Sequence, residues 1–169
     1  VLAKFLDRTR KLKKHTPPKT ILYPFGLNQS QKAAVENAFS SQVSMIQGPP
    51  GTGKTQTILN IIANAVYNGQ TVAVVSSNNS AILNVKEKLE KKGLSFLTAF
   101  LGSNENKASF LENQSGEYPD MTSWAVERQY NKERLEREVS ALSKELDEML
   151  RAKNRIAEIH QELLELKPE

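Results

Sequence analysis

Residues Gly48-Pro49-Pro50-Gly51-Thr52-Gly53-Lys54-Thr55 satisfy the pattern G-x-x-x-x-G-K-[ST] at each fixed position, and an apolar run, Val43 to Ile46, leads into them. The chemistry this string supports is the binding of a nucleoside triphosphate. Glycines let the backbone wrap its N–H groups around phosphates, a lysine reaches the β and γ oxygens, and a hydroxyl holds Mg²⁺. Lys54 and Thr55 are then the catalytic pair, with Thr55 also the metal ligand. Gly48, Pro49, Pro50, Gly51, Thr52, Gly53, Lys54, Thr55 and Gln56 line the cofactor site. A simple glycine-rich turn would leave Lys54 and Thr55 unexplained.

For such a loop to work, a strand must deliver the chain to it and a helix must carry the chain away. Val43 to Ile46 supplies the expected strand, and Gln56 to Val66 the expected helix. Upstream, Gln29 to Ser40 has helical character, with Ala33, Val35, Ala38 and Phe39 as its apolar positions. Downstream, Asn68-Gly69 marks a turn, and Thr71-Val72-Ala73-Val74-Val75 is a β-branched run suited to a buried parallel strand. A helix from about Ser80 to Lys91 follows, presenting Ile82, Val85 and Leu89, and Leu94 to Leu101 is a third expected strand. This alternation predicts an α/β fold, a partial P-loop NTPase with a parallel sheet and ligands at the carboxyl ends of its strands. Residues 102–119 are polar and loop-like, with one short helix expected around Ala108 to Glu112.

The composition narrows the class. Of the 169 residues, 38% are hydrophobic and 25% charged, so part of the chain is expected to lie outside a packed core. No run approaches a membrane span and no secretory signal opens the chain, which predicts a soluble, cytoplasmic protein with no membrane partner. With no cysteine, thiol catalysis and cysteine–zinc sites are excluded. Only His15 and His160 offer imidazoles, so Mg²⁺ arriving with the nucleotide is the expected metal. Residues 1–20 carry seven basic groups against Asp7 alone; that net +6 leaves −2 for the rest of a chain whose total is +4. Leu2, Phe5, Leu6 and Leu12 fall near helical spacing there. A basic amphipathic helix of this kind suits either a nucleic-acid backbone or a solvated face of a larger protein.

Beyond residue 119 the pattern changes. Leu135, Val139, Leu142, Leu146, Met149, Ile156 and Leu163 fall on alternating four–three steps, with Lys153 and His160 in the same seam. One long coiled-coil helix is predicted from about Ser123 to Leu166, roughly 65 Å at about 1.5 Å per residue. Its seam demands a partner helix from the same or another chain. The organisation is therefore a basic segment (1–20), a nucleotide-binding unit (21–118) and a stalk helix (119–169). Hydrolysis also requires an acid at the end of another strand to hold Mg²⁺. Val72 to Val75 ends in Ser76-Ser77-Asn78, and Leu94 to Leu101 ends in Gly102-Ser103-Asn104, so neither supplies one. The chain reads as the front part of an ATPase that binds nucleotide and hydrolyses it negligibly.

Three segments together, Leu27-Asn28-Gln29-Ser30-Gln31, Ser44 through Thr55, and Val74 through Ile82, resemble superfamily I DNA/RNA helicases of the nonsense-mediated-decay type. The resemblance implies the first RecA-like motor domain of a helicase or translocase. It also implies that Gln31 hydrogen-bonds adenine, which makes ATP the nucleotide. An amide carries the donor and acceptor that the N6/N7 edge requires. The third segment in that family touches the nucleic-acid backbone, implying Ser77 and Asn79 as contacts to a single strand of DNA or RNA. The family often has Ala-Pro-Ser-Asn where this chain has Ser76-Ser77-Asn78-Asn79, and Asn79 is the better match. In the family a helical insertion precedes the magnesium-binding acid, and the long helix lies in that interval. Taken without the resemblance, Gln31 is a surface helix residue and Ser76 to Asn79 cap the next helix.

Two other classes fit parts of the pattern. An ordinary AAA-type ATPase shares the loop, but its acid pair would fall by about Glu105 to Ser115, where none is present. A chromosome-structural ATPase with a coiled coil after its first motif fits the layout, although its loop usually ends in lysine-serine. A coiled-coil interaction module with structurally bound nucleotide belongs to a third class.

Overall fold

In a computed structural model of the chain, residues 7, 11–113, 120, 122 and 132–166 are described. Among them the α-helices are α1 (Gln29–Ser40), α2 (Lys54–Tyr67), α3 (Asn79–Glu90), α4 (Asn104–Glu112) and α5 (Lys132–Glu165), with a 3₁₀ turn at Ser95–Leu97. Residues 1–68 and 130–169 form one unit and residues 69–129 another.

In the first unit, α1 starts where Asn28 satisfies its orphan donors. Asn28 Oδ1 accepts from the Gln31 N–H at 2.9 Å, and Gln31 Oε1 accepts from the Asn28 N–H at 2.8 Å. This reciprocal capping box orients α1 and commits both polar ends of Gln31 to the interior. Helices α1 and α2 pack together, and Val35, Leu59 and Ala65 are buried between 0% and 7% exposed. Helix α5 lies on α1. Lys32 Nζ bridges Glu36 at 2.5 Å and Asp147 of α5 at 3.0 Å, while Asn154 Nδ2 donates to Gln29 Oε1. Val139, Ser143, Leu146, Asp147 and Leu150 form the half-buried stripe of α5, at the three–four spacing of a helix docked on one side.

The 34-residue α5 is about 51 Å long at about 1.5 Å per residue, which agrees with the predicted long helix. Its expected start, residues 123–131, lies outside the described residues, as do Leu2, Phe5 and Leu6 of the expected basic helix. The seam divides. Val139 and Leu146 face the body, whereas Leu135, Leu142, Met149, Ile156 and Leu163, seven residues apart, are 46% to 68% exposed. From Arg151 to Leu166 every residue is exposed.

In the second unit, α3 is capped by Asn78 and buries Val85 and Leu89, and Lys86 Nζ sits 5.9 Å from the centre of the Phe100 ring. Helix α4 is capped by the Ser103 hydroxyl and extends the short helix expected at 108–112 toward its N-terminus.

The parallel sheet expected of a RecA-like α/β fold is not seen. Among the described residues there is no strand, and the only β pairing is an isolated antiparallel bridge between Lys14 and Ser41. Residues 43–46 and 71–75 have no strand partner among the described residues, and Met45 is 80% and Val75 88% exposed; the third run instead folds into the turn at Ser95–Leu97. The physical reason is that β-branched composition describes a segment that fits a pleated surface, while a strand exists only when a neighbour takes up its N–H and C=O groups. No helix among the described residues is long and apolar enough to cross a membrane.

Candidate nucleotide site

The phosphate loop leads into α2 through Gly53, whose φ of 79° is in the left-handed region that side chains disfavour. No side chain caps this helix, so no side chain competes for the N–H groups of its first turn, the kind of position where an anion binds. Lys54 Nζ folds back across the loop, donating to the Gly48 carbonyl at 2.5 Å and the Pro49 carbonyl at 2.8 Å. Thr52 Oγ1 also donates to the Pro49 carbonyl, at 2.8 Å. The loop is thereby closed on its own cation. Phosphate oxygens are stronger acceptors for an ammonium than neutral carbonyls, so the residues present fit a triphosphate. Thr55 follows Lys54 in the first helical turn, where the motif places a Mg²⁺ ligand. Among the described residues there is no group of three or more His, Asp or Glu side chains suited to hold a metal.

Gln31 is brought to this loop, although its residue type and helical position alone made it a surface residue. It is only 8% exposed, and its Nε2 donates to the carbonyls of Thr52 at 3.1 Å and Gly53 at 3.3 Å. The contact is tight: a Cβ on Gly53 would lie 2.0 Å from Gln31 Nε2. One on Gly48 would lie 2.6 Å from Thr52 Oγ1. Gln56, in the first turn of α2, donates to the Phe25 carbonyl at 2.8 Å.

Sequence reasoning missed Asn60 and Asn64, both 0% exposed. Asn64 accepts from the Leu22 N–H at 2.7 Å and donates to the Leu22 carbonyl at 2.6 Å. Asn60 accepts from the Phe25 N–H at 3.2 Å and donates to the Gly26 carbonyl at 2.9 Å. The available signal was the amide stripe Gln56, Asn60, Asn64 and Asn68 at four-residue spacing within an apolar helix.

Ser77 and Asn79 belong to the second unit. The cap of α3 is the residue between them: Asn78 Oδ1 accepts from the Ser80 N–H at 2.9 Å, and the Asn78 N–H donates to Ser76 Oγ at 3.0 Å. Ser77 and Asn79 are both exposed.

Near α5, Tyr23 is half-buried beside Glu36, with Lys32 Nζ 6.0 Å from its ring centre. Burial, then the Glu36 charge, pushes its phenol up to about 12. Burial acts to lower the Lys32 ammonium, but hydrogen bonds to Glu36 and Asp147 outweigh it and hold the group above its usual value. This cluster ties α5 to α1. A cleft of about 360 Å³ beside it is lined by Pro18, Ile21, Tyr23, Glu36 and Val139, among others.

A family described as AAA domain matches residues 26–167. The Regulator of nonsense transcripts 1 homolog of Drosophila melanogaster is 39% identical over 89 residues, 50% of this chain and 8% of that protein. The DNA-binding protein SMUBP-2 of Rattus norvegicus is 45% identical over 74 residues, 43% of this chain and 7% of that protein. The DNA polymerase alpha-associated DNA helicase A of Schizosaccharomyces pombe is 39% identical over 69 residues, 40% of this chain and 10% of that protein. The chain thus spans a small part of the length of these relatives. No solved structure matches it. The loop, the segment that braces it and the extent of the family match agree: the chain belongs to this AAA-domain family, and over the matched residues it is similar to helicases of the nonsense-mediated-decay type.

Proposed function

We propose that this chain binds ATP with Mg²⁺ as the front part of a motor that unwinds or moves along a DNA or RNA strand. The observation that carries the reading is the phosphate loop closed on Lys54 and braced by Gln31. In this proposal Lys54 holds the phosphate oxygens, Thr55 the Mg²⁺, and the backbone of Gly48 to Gly53 the remaining phosphate charge. Gln31 turns its amide to adenine by exchanging its bonds to the Thr52 and Gly53 carbonyls, so base recognition and release of the loop are linked. Bound ATP supplies the phosphoryl transfer that drives closure and reopening of such motors. Ser77 and Asn79, exposed on either side of the α3 cap, contact the nucleic-acid strand. Residues 1–20 form a basic segment, 21–118 the nucleotide-binding unit and 119–169 a stalk, whose exposed seam takes a partner helix. A cytoplasmic setting belongs to the same reading.

The test is a titration of the chain with a fluorescent ATP analogue in Mg²⁺. Lys54→Ala should abolish binding, with negligible turnover in either protein. An affinity indifferent to Lys54→Ala would sink the nucleotide reading. Robust Mg²⁺-dependent turnover lost in Lys54→Ala would instead overturn only the claim that the chain binds without hydrolysing.

A further inference from the structure

We infer that Asn60 and Asn64 are positioning residues for the base side of the nucleotide, holding residues 22–26 at a set height against the phosphate loop. The inference rests on the nucleotide reading above and goes beyond it, because neither residue belongs to the loop or to the adenine-reading segment. Both side chains are 0% exposed in the middle of a helix, where packing alone favours an aliphatic residue and asparagine is a poor helix former. Each acts as a substitute peptide group, presenting one donor and one acceptor to the backbone of residues 22–26, which turn at Pro24-Phe25 where the Gly26 N–H donates to the Tyr23 carbonyl at 3.2 Å. Asn64 takes both polar groups of Leu22, and Asn60 takes the Phe25 N–H and the Gly26 carbonyl. Aliphatic side chains would let residues 22–26 slide along α2. Paired amides do not, since a shift of one residue breaks every one of these bonds.

The segment so held runs directly into Leu27 and Asn28. Asn28 caps α1 and binds Gln31, and Gln31 in turn holds the carbonyls of Thr52 and Gly53, from which α2 begins. The connections close into a ring: α2, its asparagines, residues 22–26, Asn28, Gln31, and the loop again. Asn60 and Asn64 follow Lys54 by six and ten residues, or about 9 and 15 Å along the helix. They fix how far the base-side segment stands from the lysine that receives the phosphates. Loosening the bonds between α2 and residues 22–26 therefore penalises a ligand that must touch both ends, while a ligand of phosphates alone needs only the loop.

The experiment compares Mg²⁺–ATP with inorganic tripolyphosphate, titrated calorimetrically into the 169-residue chain and its Asn60→Ala and Asn64→Ala variants. ATP affinity should fall about tenfold in each variant while tripolyphosphate affinity stays within about twofold. Equal losses for both ligands, or no loss for either, would refute the positioning role and leave a purely structural one. A wild-type chain that binds neither ligand would overturn the nucleotide reading and this inference with it. Should the alanine variants unfold, Asn60→Ser, which keeps a hydroxyl in the core but presents no amide to Phe25 and Gly26, carries the comparison. It should shift the same ratio by about threefold, and an unchanged ratio there would also count against the proposal. Amide hydrogen exchange at Leu22 in Asn64→Ala, and at Phe25 in Asn60→Ala, reports whether the intended bond was the one removed.

Discussion

Replacing Gly53 by alanine tests whether Gln31 braces the phosphate loop. The new methyl would stand 2.0 Å from Gln31 Nε2 and 3.2 Å from Gln31 Cδ, at a residue whose φ is 79°. Two costs add. Holding an L side chain in the left-handed region costs about 1–2 kcal/mol. Expelling Gln31 from its two carbonyl acceptors costs about 1–2 kcal/mol more, given a net value near 1 kcal/mol per hydrogen bond. Gly53→Ala should therefore destabilise the chain by about 2–4 kcal/mol. In a Gln31→Ala background the obstructing amide is already gone, and only the backbone term of about 1–2 kcal/mol remains. A double-mutant cycle, read from urea unfolding followed by helical circular dichroism, should give a coupling of about 1–2 kcal/mol, whereas independent sites add within about 0.5 kcal/mol. Additivity within that margin would show that Gln31 does not press on Gly53, and the brace would be refuted.

Asn64→Ala strips both polar groups of Leu22 of their partners and should cost about 2–3 kcal/mol by the same denaturation assay. Asn68→Ala, at an exposed residue that loses one part-buried bond to the Asn64 carbonyl, should cost no more than about 1 kcal/mol, and equal costs would contradict the assigned burial. On α5, Val139→Asp should destabilise the chain clearly, whereas Ile156→Asp, at a position 68% exposed, should stay within about 0.5 kcal/mol; the reverse order would place the docked face on the wrong side. Alkaline pH should weaken the contact between α1 and α5. The folded chain keeps the Tyr23 proton up to about 12 while the unfolded chain loses it near 10.0, so this contribution is complete below pH 10.0 and disappears as pH rises through 12. The raised Lys32 acts in the same direction. Tyr23→Phe should flatten the fall in stability over that window, and an unchanged slope in a pH series of urea midpoints would exclude Tyr23 as its source.

Helix positions were well legible in the sequence. Gln29–Ser40 appears with the expected bounds, α2 and α3 lie within two residues of theirs, and α5 follows its heptads wherever it is described. α1 and α3 carry their own evidence in a local side-chain cap, all four in a periodic apolar face, and helical hydrogen bonds join near neighbours in the chain. The sheet was illegible for the opposite reason. Val72 to Val75 records a preference for a pleated surface, but a strand's bonds go to another segment, and residues 71–75 find none among the described residues.

The sequence by itself determined the chemistry proposed for the loop. Gly48, Gly53, Lys54 and Thr55 are specified by spacing, because a chain that turns around phosphates needs its glycines, cation and hydroxyl at set intervals. Tertiary structure alone decided what holds that loop in place. Gln31 becomes a buried brace because α1 lies against α2, and Asn60 and Asn64 become the anchor of residues 22–26 because those residues run beside the helix. An amide in a sequence states only that it can donate and accept; which backbone answers it depends on the fold.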